Sequence, residues 1–276
     1  MPPSQRGSNE ARAQHRQAAS DAPAPAPRYP ELQAHADAVY DRLSNGRIAR
    51  DAGPILDVGS GNGAALASIV EGTGVRGVAL DRRVGMDWLG PPGFERLAGD
   101  AARLPFRPQA FQAALLQETW EWLTNPAPAL AEMARVTRGR IVIVQSEWRS
   151  LWIDSGDPET AQEFTRLFSG PPDPQRRAPA ALLAAAGLRV IVDGLETIRG
   201  DRLQRSSYAF ELLRLLREYL VVQRAGVRAR RFDEWRAELD ERAQRGAFGF
   251  SIDRRVVVAE AQGEPTERAG DRGRRR

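Results

Sequence analysis

An aspartate followed by three alternating glycines, Asp57-Val58-Gly59-Ser60-Gly61-Asn62-Gly63, is the stretch of this chain whose residue types and spacing can do chemistry. Glycine lets a backbone enter left-handed conformations and pass close to a ligand that a Cβ would push away. Ile55, Leu56 and Val58 predict a short buried parallel strand, so the loop stands at a strand's carboxyl end and opens a helix over Ala64 to Val70. The free N–H groups of a helix N-terminus suit an anionic group of a ligand. Two more acids take comparable places: Asp81 closes a strand predicted over Val75 to Leu80, and Asp100 follows one over Phe94 to Ala98.

Gly59-x-Gly61-x-x-Ala64 also fits the loose dinucleotide-binding pattern, which permits a nicotinamide-dependent oxidoreductase. Asp57 points away from it. A carboxylate two residues before the first glycine repels a pyrophosphate and suits a ligand carrying a cationic amine. The order Asp-x-Gly-x-Gly-x-Gly resembles the first motif of class I S-adenosylmethionine-dependent methyltransferases. Leu97-Ala98-Gly99-Asp100-Ala101-Ala102-Arg103-Leu104-Pro105-Phe106 is similar to the Gly-Asp-Ala-x-x-Leu-Pro-Phe segment of their ubiquinone/menaquinone-type ("type 11") branch. Farther on, Glu147-Trp148-Arg149-Ser150-Leu151-Trp152-Ile153-Asp154-Ser155, Trp235-x-x-x-Leu239 and Gly246-x-Phe248 resemble segments of one bacterial subgroup. The resemblance spans about Pro30 to Glu260 and is strongest up to Val144.

That resemblance implies S-adenosylmethionine as cofactor and a role for each motif residue. Asp57 and the Gly59, Ser60, Gly61 and Gly63 backbone would meet the amino-acid end. Asp81 would accept from the ribose hydroxyls, with Arg82 walling the adenine, and Asp100 would accept from the adenine amino group while the Ala101 N–H donates to the ring. Gln117, at the end of the fourth strand, would lie near the methionine portion. The plainer readings are that Asp57 caps the turn and Asp81 pairs with Arg82 or Arg83.

Methyl transfer from a sulfonium needs mainly alignment and exclusion of water, and a general base helps for a hydroxyl nucleophile. Members of the resembling family often carry a histidine shortly after the fourth strand, in a Leu-Glu-His-Leu-like turn. Here Trp120-Glu121-Trp122-Leu123 stands in its place. Candidate bases are therefore Glu121 and His35, the latter on a leading helix over Pro30 to Asn45 that either closes over the cofactor or packs on the sheet. Trp120, Trp122, Trp148 and Trp152 fall on two segments expected to border the substrate opening and favour a flat or apolar acceptor. Packing between insert and sheet is the competing role for them.

The elements that must hold these residues alternate. Strands are predicted over Phe111 to Leu116, Ile141 to Val144, Leu188 to Val192 and Arg254 to Ala259. Helices are predicted after the glycine loop, around Met86 to Leu89, from Asn125 as cap with Gly139 as terminator, and over Ala178 to Ala186. This pattern predicts an α/β chain with a doubly wound, Rossmann-like seven-strand sheet and helices on both faces. The resemblance adds that the last strand runs antiparallel between the two before it. Inserts over 145–174 and 197–249, the second with amphipathic stripes around Tyr208 to Val222 and Phe232 to Leu239, are the expected places for substrate or oligomer contacts.

At 276 residues and 42% hydrophobic the chain can bury one full core, expected over 29–260, between a Pro/Ala-rich tail over 1–28 and a basic one over 261–276, both expected to be disordered. Cysteine is absent, which excludes disulfides, thiolate metal sites and a cysteine nucleophile. The start carries no apolar leader core and no run reaches bilayer length, so a cytoplasmic protein with no membrane span is expected, as monomer or homodimer. The net charge of +4 rests on arginine alone. An arginine-rich second insert leaves a nucleic-acid or protein methyltransferase as an alternative, which Glu218, Asp233, Glu234, Glu238 and Asp240 weaken by interleaving acids among the arginines. The function expected is transfer to a small molecule, O- or C-directed, with an aromatic, quinone-like or lipid-like acceptor. A cofactor-binding protein without transfer is the remaining reading, since the turn histidine is missing.

Overall fold

The computed structural model describes residues 29–45, 53–71, 73–83, 88–169, 179–222 and 226–261. Residues 1–28 and 262–276 of the expected tails, His15 and Met86 lie outside them, while Ala261, expected in the second tail, belongs to the last strand. Seven strands form one sheet in the order β3-β2-β1-β4-β5-β7-β6. These are β1 (Ile55–Val58), β2 (Gly77–Asp81), β3 (Phe94–Ala98), β4 (Phe111–Gln117), β5 (Thr137–Ile153), β6 (Leu188–Gly200) and β7 (Phe250–Ala261). β1 to β5 are mutually parallel, while β7 lies antiparallel between β5 and β6.

Helices cover both faces. α1 (Pro30–Ser44) and α2 (Ala64–Val70) lie on one side, and Val39, Leu43, Leu66 and Ile69 pack there with Ile55, Leu115, Val142, Val144 and Val256. α3 (Pro126–Val136) and α5 (Pro179–Ala185) take the other, where Leu130, Met133 and Leu183 meet Leu56, Val58, Leu116, Ile141 and Ile143. Alternate residues of the central strands thus bury both faces, as β-branched parallel strands do. Asn125 caps α3, its side chain accepting from Ala127 N at 3.2 Å, with Pro126 at the first helical position.

Several boundaries differ from the expectation, each for a physical reason. α3 ends at Val136, and Gly139 sits inside β5. A Cβ on Gly139 would lie 2.1 Å from the Gln112 carbonyl, so this glycine serves close strand approach and is not a helix stop. β5 runs to Ile153, which makes 145–153 strand where an insert was expected. Its partner β7 is longer at both ends, β6 continues to Gly200, and Trp88 and Leu89 form no helix. Beyond the ends of β1 to β4 this three-strand extension carries a second core. There Leu151, Ile153 and Ile252 pack with Phe164 of α4 (Pro158–Ser169), Leu212 of α6 (Tyr208–Val222) and Trp235 of α7 (Gly226–Gln244).

Candidate functional site

The glycine loop has the conformation its residues permit: Gly59, Gly61 and Gly63 all have positive φ, at 76°, 55° and 81°. Gly59 N and Ser60 N donate to the Leu80 carbonyl at 2.7 and 3.1 Å, which ties the loop to the end of β2. Asp81 Oδ2 then accepts from Gly61 N and Oδ1 from Arg83 N, each at 2.9 Å. Asp81 therefore braces the loop while keeping lone-pair directions free for a ligand. Gly63 leads into α2, whose first N–H, that of Ala64, is met by Asn62 Oδ1 at 3.1 Å. The seven-residue helix is thus capped by its own loop.

Asp57 is buried on β1, 4% exposed. Burial first, and then the nearby Asp81 carboxylate, push its carboxyl up to about 7. Among the described residues no group donates a hydrogen bond to it. On the third strand end, Asp100 Oδ1 accepts from Ala102 N at 3.0 Å and faces Arg82 at 3.7 Å, while Gly99 N donates to the Asp81 carbonyl at 2.9 Å.

The fourth strand end closes the other side. Glu118 has φ 48°, a left-handed conformation that costs a residue with a Cβ about 1–3 kcal/mol and is kept only where neighbours impose it. Here Ser146 donates to its carboxylate twice, from Oγ at 2.7 Å and N at 3.2 Å. Thr119 Oγ1 lies within hydrogen-bond reach of the Gly59 and Gln117 carbonyls, at 3.0 and 2.9 Å, clamping the fourth strand end onto the glycine loop. Gly59 must be glycine for that contact, since a Cβ would stand 2.2 Å from the Thr119 hydroxyl.

Between these four strand ends is a cavity of about 360 Å³. Gly59, Gly61, Asp81, Arg82 and Ala101, all singled out in the sequence, line it. So do Leu80, Gly99, Glu118, Thr119 and Leu123, to none of which the sequence assigns a role in holding the cofactor, although the stretch from Glu118 to Trp122 is expected to lead toward the substrate. Thr119 and Glu118 follow Gln117 directly, and their place after a strand end was the available signal. Asp57, Ser60, Gly63, Asp100 and Gln117 adjoin the cavity through the chain without lining it. Gln117 Oε1 is buried with no partner among the described residues.

The aromatic residues separate. Trp122 lines the mouth and is 75% exposed. Trp120 is fully buried among Leu130 and Met133 and is a core residue, because the single 3-10 turn Trp120–Trp122 points its two tryptophans to opposite sides. Trp148 packs against the second core, and Trp152, 55% exposed, lies against Gly249, so neither lines the cavity. Glu121 Oε1 is 3.4 Å from Gln145 Nε2, also outside the lining. His35 is buried on α1 with Nδ1 2.6 Å from Glu196 Oε2.

Residues 56–143 match the family model described as a methyltransferase domain. A demethylmenaquinone methyltransferase of Paenarthrobacter aurescens is 33% identical over 141 residues, 43% of this chain and 55% of that protein. A namesake from Renibacterium salmoninarum is 35% identical over 96 residues, 33% of this chain and 40% of the relative. The chain thus spans about half the length of the relatives it matches. A solved structure from Anaeromyxobacter dehalogenans, provisionally described as a type II methyltransferase, superposes with a TM-score of 0.52 at 19% identity, covering 85% of this chain and 97% of that one. Residues 56–143 are thus similar to a methyltransferase domain, and the Rossmann-like seven-strand fold extends over the rest of the described chain.

Proposed function

We propose that this protein transfers a methyl group from S-adenosylmethionine to a small molecule, at oxygen or carbon of an aromatic, quinone-like or lipid-like acceptor. The observation that carries the reading is a shared cavity lined by Asp81, Ala101, Gly59 and Gly61. The residues present fit the cofactor. Two left-handed glycines leave room for a close approach, Asp81 keeps acceptor capacity for a diol, and Arg82 with Ala101 offers a wall and an N–H for an adenine edge. Asp57, a buried acid that adjoins the cavity and meets no donor among the described residues, matches an ammonium and disfavours the pyrophosphate of a nicotinamide dinucleotide. When bound, the cofactor supplies an activated methyl on a sulfonium. The chain's part is to orient it, to present the acceptor near Glu118 and Trp122, and to keep water out.

The arginines of α6 and α7 support a small acceptor over nucleic acid. Arg217 pairs with Asp233 at 2.7 Å, Arg236 with Asp240 at 3.0 Å, Arg242 with Asp154 at 2.9 Å, and Arg214 with Glu211 and Glu218. Neutralised in pairs, they leave little charge for phosphates. Among the described residues no helix is long and apolar enough to cross a membrane. In this reading the protein acts in the cytoplasm as a monomer or homodimer.

Calorimetry with S-adenosylmethionine and NAD side by side tests the cofactor. Incubation with methyl-labelled cofactor and cell extract then identifies the acceptor. Binding of NAD alone, or cofactor binding with no labelled product, refutes the corresponding part.

A further inference from the structure

Behind Glu118 lies a buried polar row that the cofactor reading does not use. Strand register sets Ser146 of β5, Arg254 of β7 and Glu196 of β6 side by side. They stand on the face that α1 covers, one step beyond Val144 and Val256. Arg254 is 3% exposed. Its Nη2 donates to Tyr208 Oη at 2.9 Å and stands 3.3 Å from Glu118 Oε1, with the guanidinium 5.2 Å from the Tyr208 ring centroid. Glu196 is engaged from α1 by His35 and by Arg42.

Three side-chain atoms of this cluster are unsatisfied among the described residues, Arg42 Nη1 and two that face the row from His35 and Arg254. Arg254 Nε and His35 Nε2 are buried, and among the described residues neither has a hydrogen-bond partner. A buried unpaired polar atom costs about 1–3 kcal/mol, so a small polar group that pairs with both of these atoms would be favoured there. Their chemistry is complementary. With Nδ1–H donating to Glu196, the neutral imidazole presents Nε2 as a lone pair, while Arg254 Nε presents a proton. Burial first, and then the charge of Arg254, keep His35 below the usual histidine range, so the imidazole is neutral at neutral pH.

A hydroxyl is what such a pair accepts: its proton meets Nε2 and its oxygen meets the guanidinium. A carboxylate has no proton to give, and an ammonium is repelled by Arg254. Resting on the methyltransferase reading, we propose that the acceptor's reactive phenol or enol hydroxyl docks between His35 Nε2 and Arg254. His35 is then the general base, Glu196 a positioning residue that fixes its tautomer, and Arg254 the cation that holds the oxyanion. In the step the O–H proton passes to Nε2, the bonding pair stays on oxygen, and the imidazolium formed faces Glu196. Glu118, paired with Arg254 and lining the cofactor cavity, joins the two halves of the site. Entry requires α1 to lift from the sheet face on which Val39 and Leu43 are buried and to break the Tyr29–Tyr208 ring contact at 5.8 Å.

The full chain has two histidines, which makes the test clean. Nitrogen-15 imidazole spectra, with His15→Gln for assignment, are expected to show His35 as the Nδ1–H tautomer. 4-Nitrophenol at mildly acidic pH is the probe: the wild-type protein should shift it to its coloured phenolate by about tenfold over buffer, one unit of pKa. His35→Gln should abolish the shift. Arg254→Lys, which keeps the charge and removes Nε–H, should reduce it. An Nε2–H tautomer, absence of ionisation by the wild type, or equal ionisation by His35→Gln overturns the proposal. Cofactor calorimetry is separate: if S-adenosylmethionine binds neither wild type nor His35→Gln, the methyltransferase reading fails whatever the phenol shows. A merely structural His35–Glu196 tie leaves the probe unmoved.

Discussion

Asp57 makes cofactor affinity depend on pH in a way that can be worked out. The carboxyl is buried, meets no donor among the described residues, and has its pKa pushed up to about 7 by burial and Asp81. To pair with an ammonium it must be ionised, so the apparent dissociation constant rises by the factor 1 + 10^(7 − pH), about 11-fold at pH 6 and about 100-fold at pH 5. Stability carries the opposite face of the same shift. Between the ordinary value of 3.8 and about 7 the folded chain holds a proton that the unfolded chain has lost. Stability therefore falls with rising pH across that window and levels off above it. Three units correspond to about 4 kcal/mol as an upper figure. The assay is calorimetric titration with S-adenosylhomocysteine from pH 5.5 to 8.5, alongside thermal melts, for wild type and Asp57→Asn. The wild type should lose affinity steadily below pH 7. Asp57→Asn should bind more weakly at pH 8, show a flat profile, and melt higher than wild type at alkaline pH. An affinity constant within twofold from pH 5.5 to 7.5, or a decline that survives in Asp57→Asn, refutes the reasoning.

Asp81→Ala removes both the brace on Gly61 and the acceptor offered to the cavity; cofactor binding should weaken by about 1–3 kcal/mol in calorimetry, and unchanged affinity removes Asp81 from the site. Gly59→Ala forces a Cβ to within 2.2 Å of Thr119 at a left-handed position; a loss of about 1–3 kcal/mol in denaturant melts is expected, together with loss of cofactor binding. Glu121→Gln tests the second candidate base: slower turnover with unchanged cofactor affinity supports it, and normal turnover dismisses it in favour of His35.

The glycine loop and the three acids were legible because their signals are local: a buried run, an acid at its end, glycines at fixed offsets. Gly139 was misread because a glycine three residues past an apolar helix resembles a stop, whereas its requirement is set by the Gln112 carbonyl on the neighbouring strand. The continuation of β5 was hidden by its irregularity. Its register with β7 shifts between Glu147 and Trp152, so the inside-outside alternation that marks a strand breaks where polar residues and tryptophans crowd together. Trp120 and Trp122 are two residues apart and of one type, yet one is core and one is rim, a difference that only the turn between them decides. His35 could be named as a candidate base from the sequence, but its tie to Glu196 could not, since that partner stands 161 residues away.

β5 runs from Thr137 to Ile153 as one strand, paired to β7 on both sides of the register shift between Glu147 and Trp152, so a single strand reaches from the central sheet to the distal helical layer. The packing of Phe164, Phe232 and Trp235 is thus linked to Ser146 and Arg254 along the β5–β7 pair, whereas the glycine loop lies on the far side of β4. Retargeting such a molecule to a new acceptor would then be a matter of repacking that remote layer as much as of recarving the mouth.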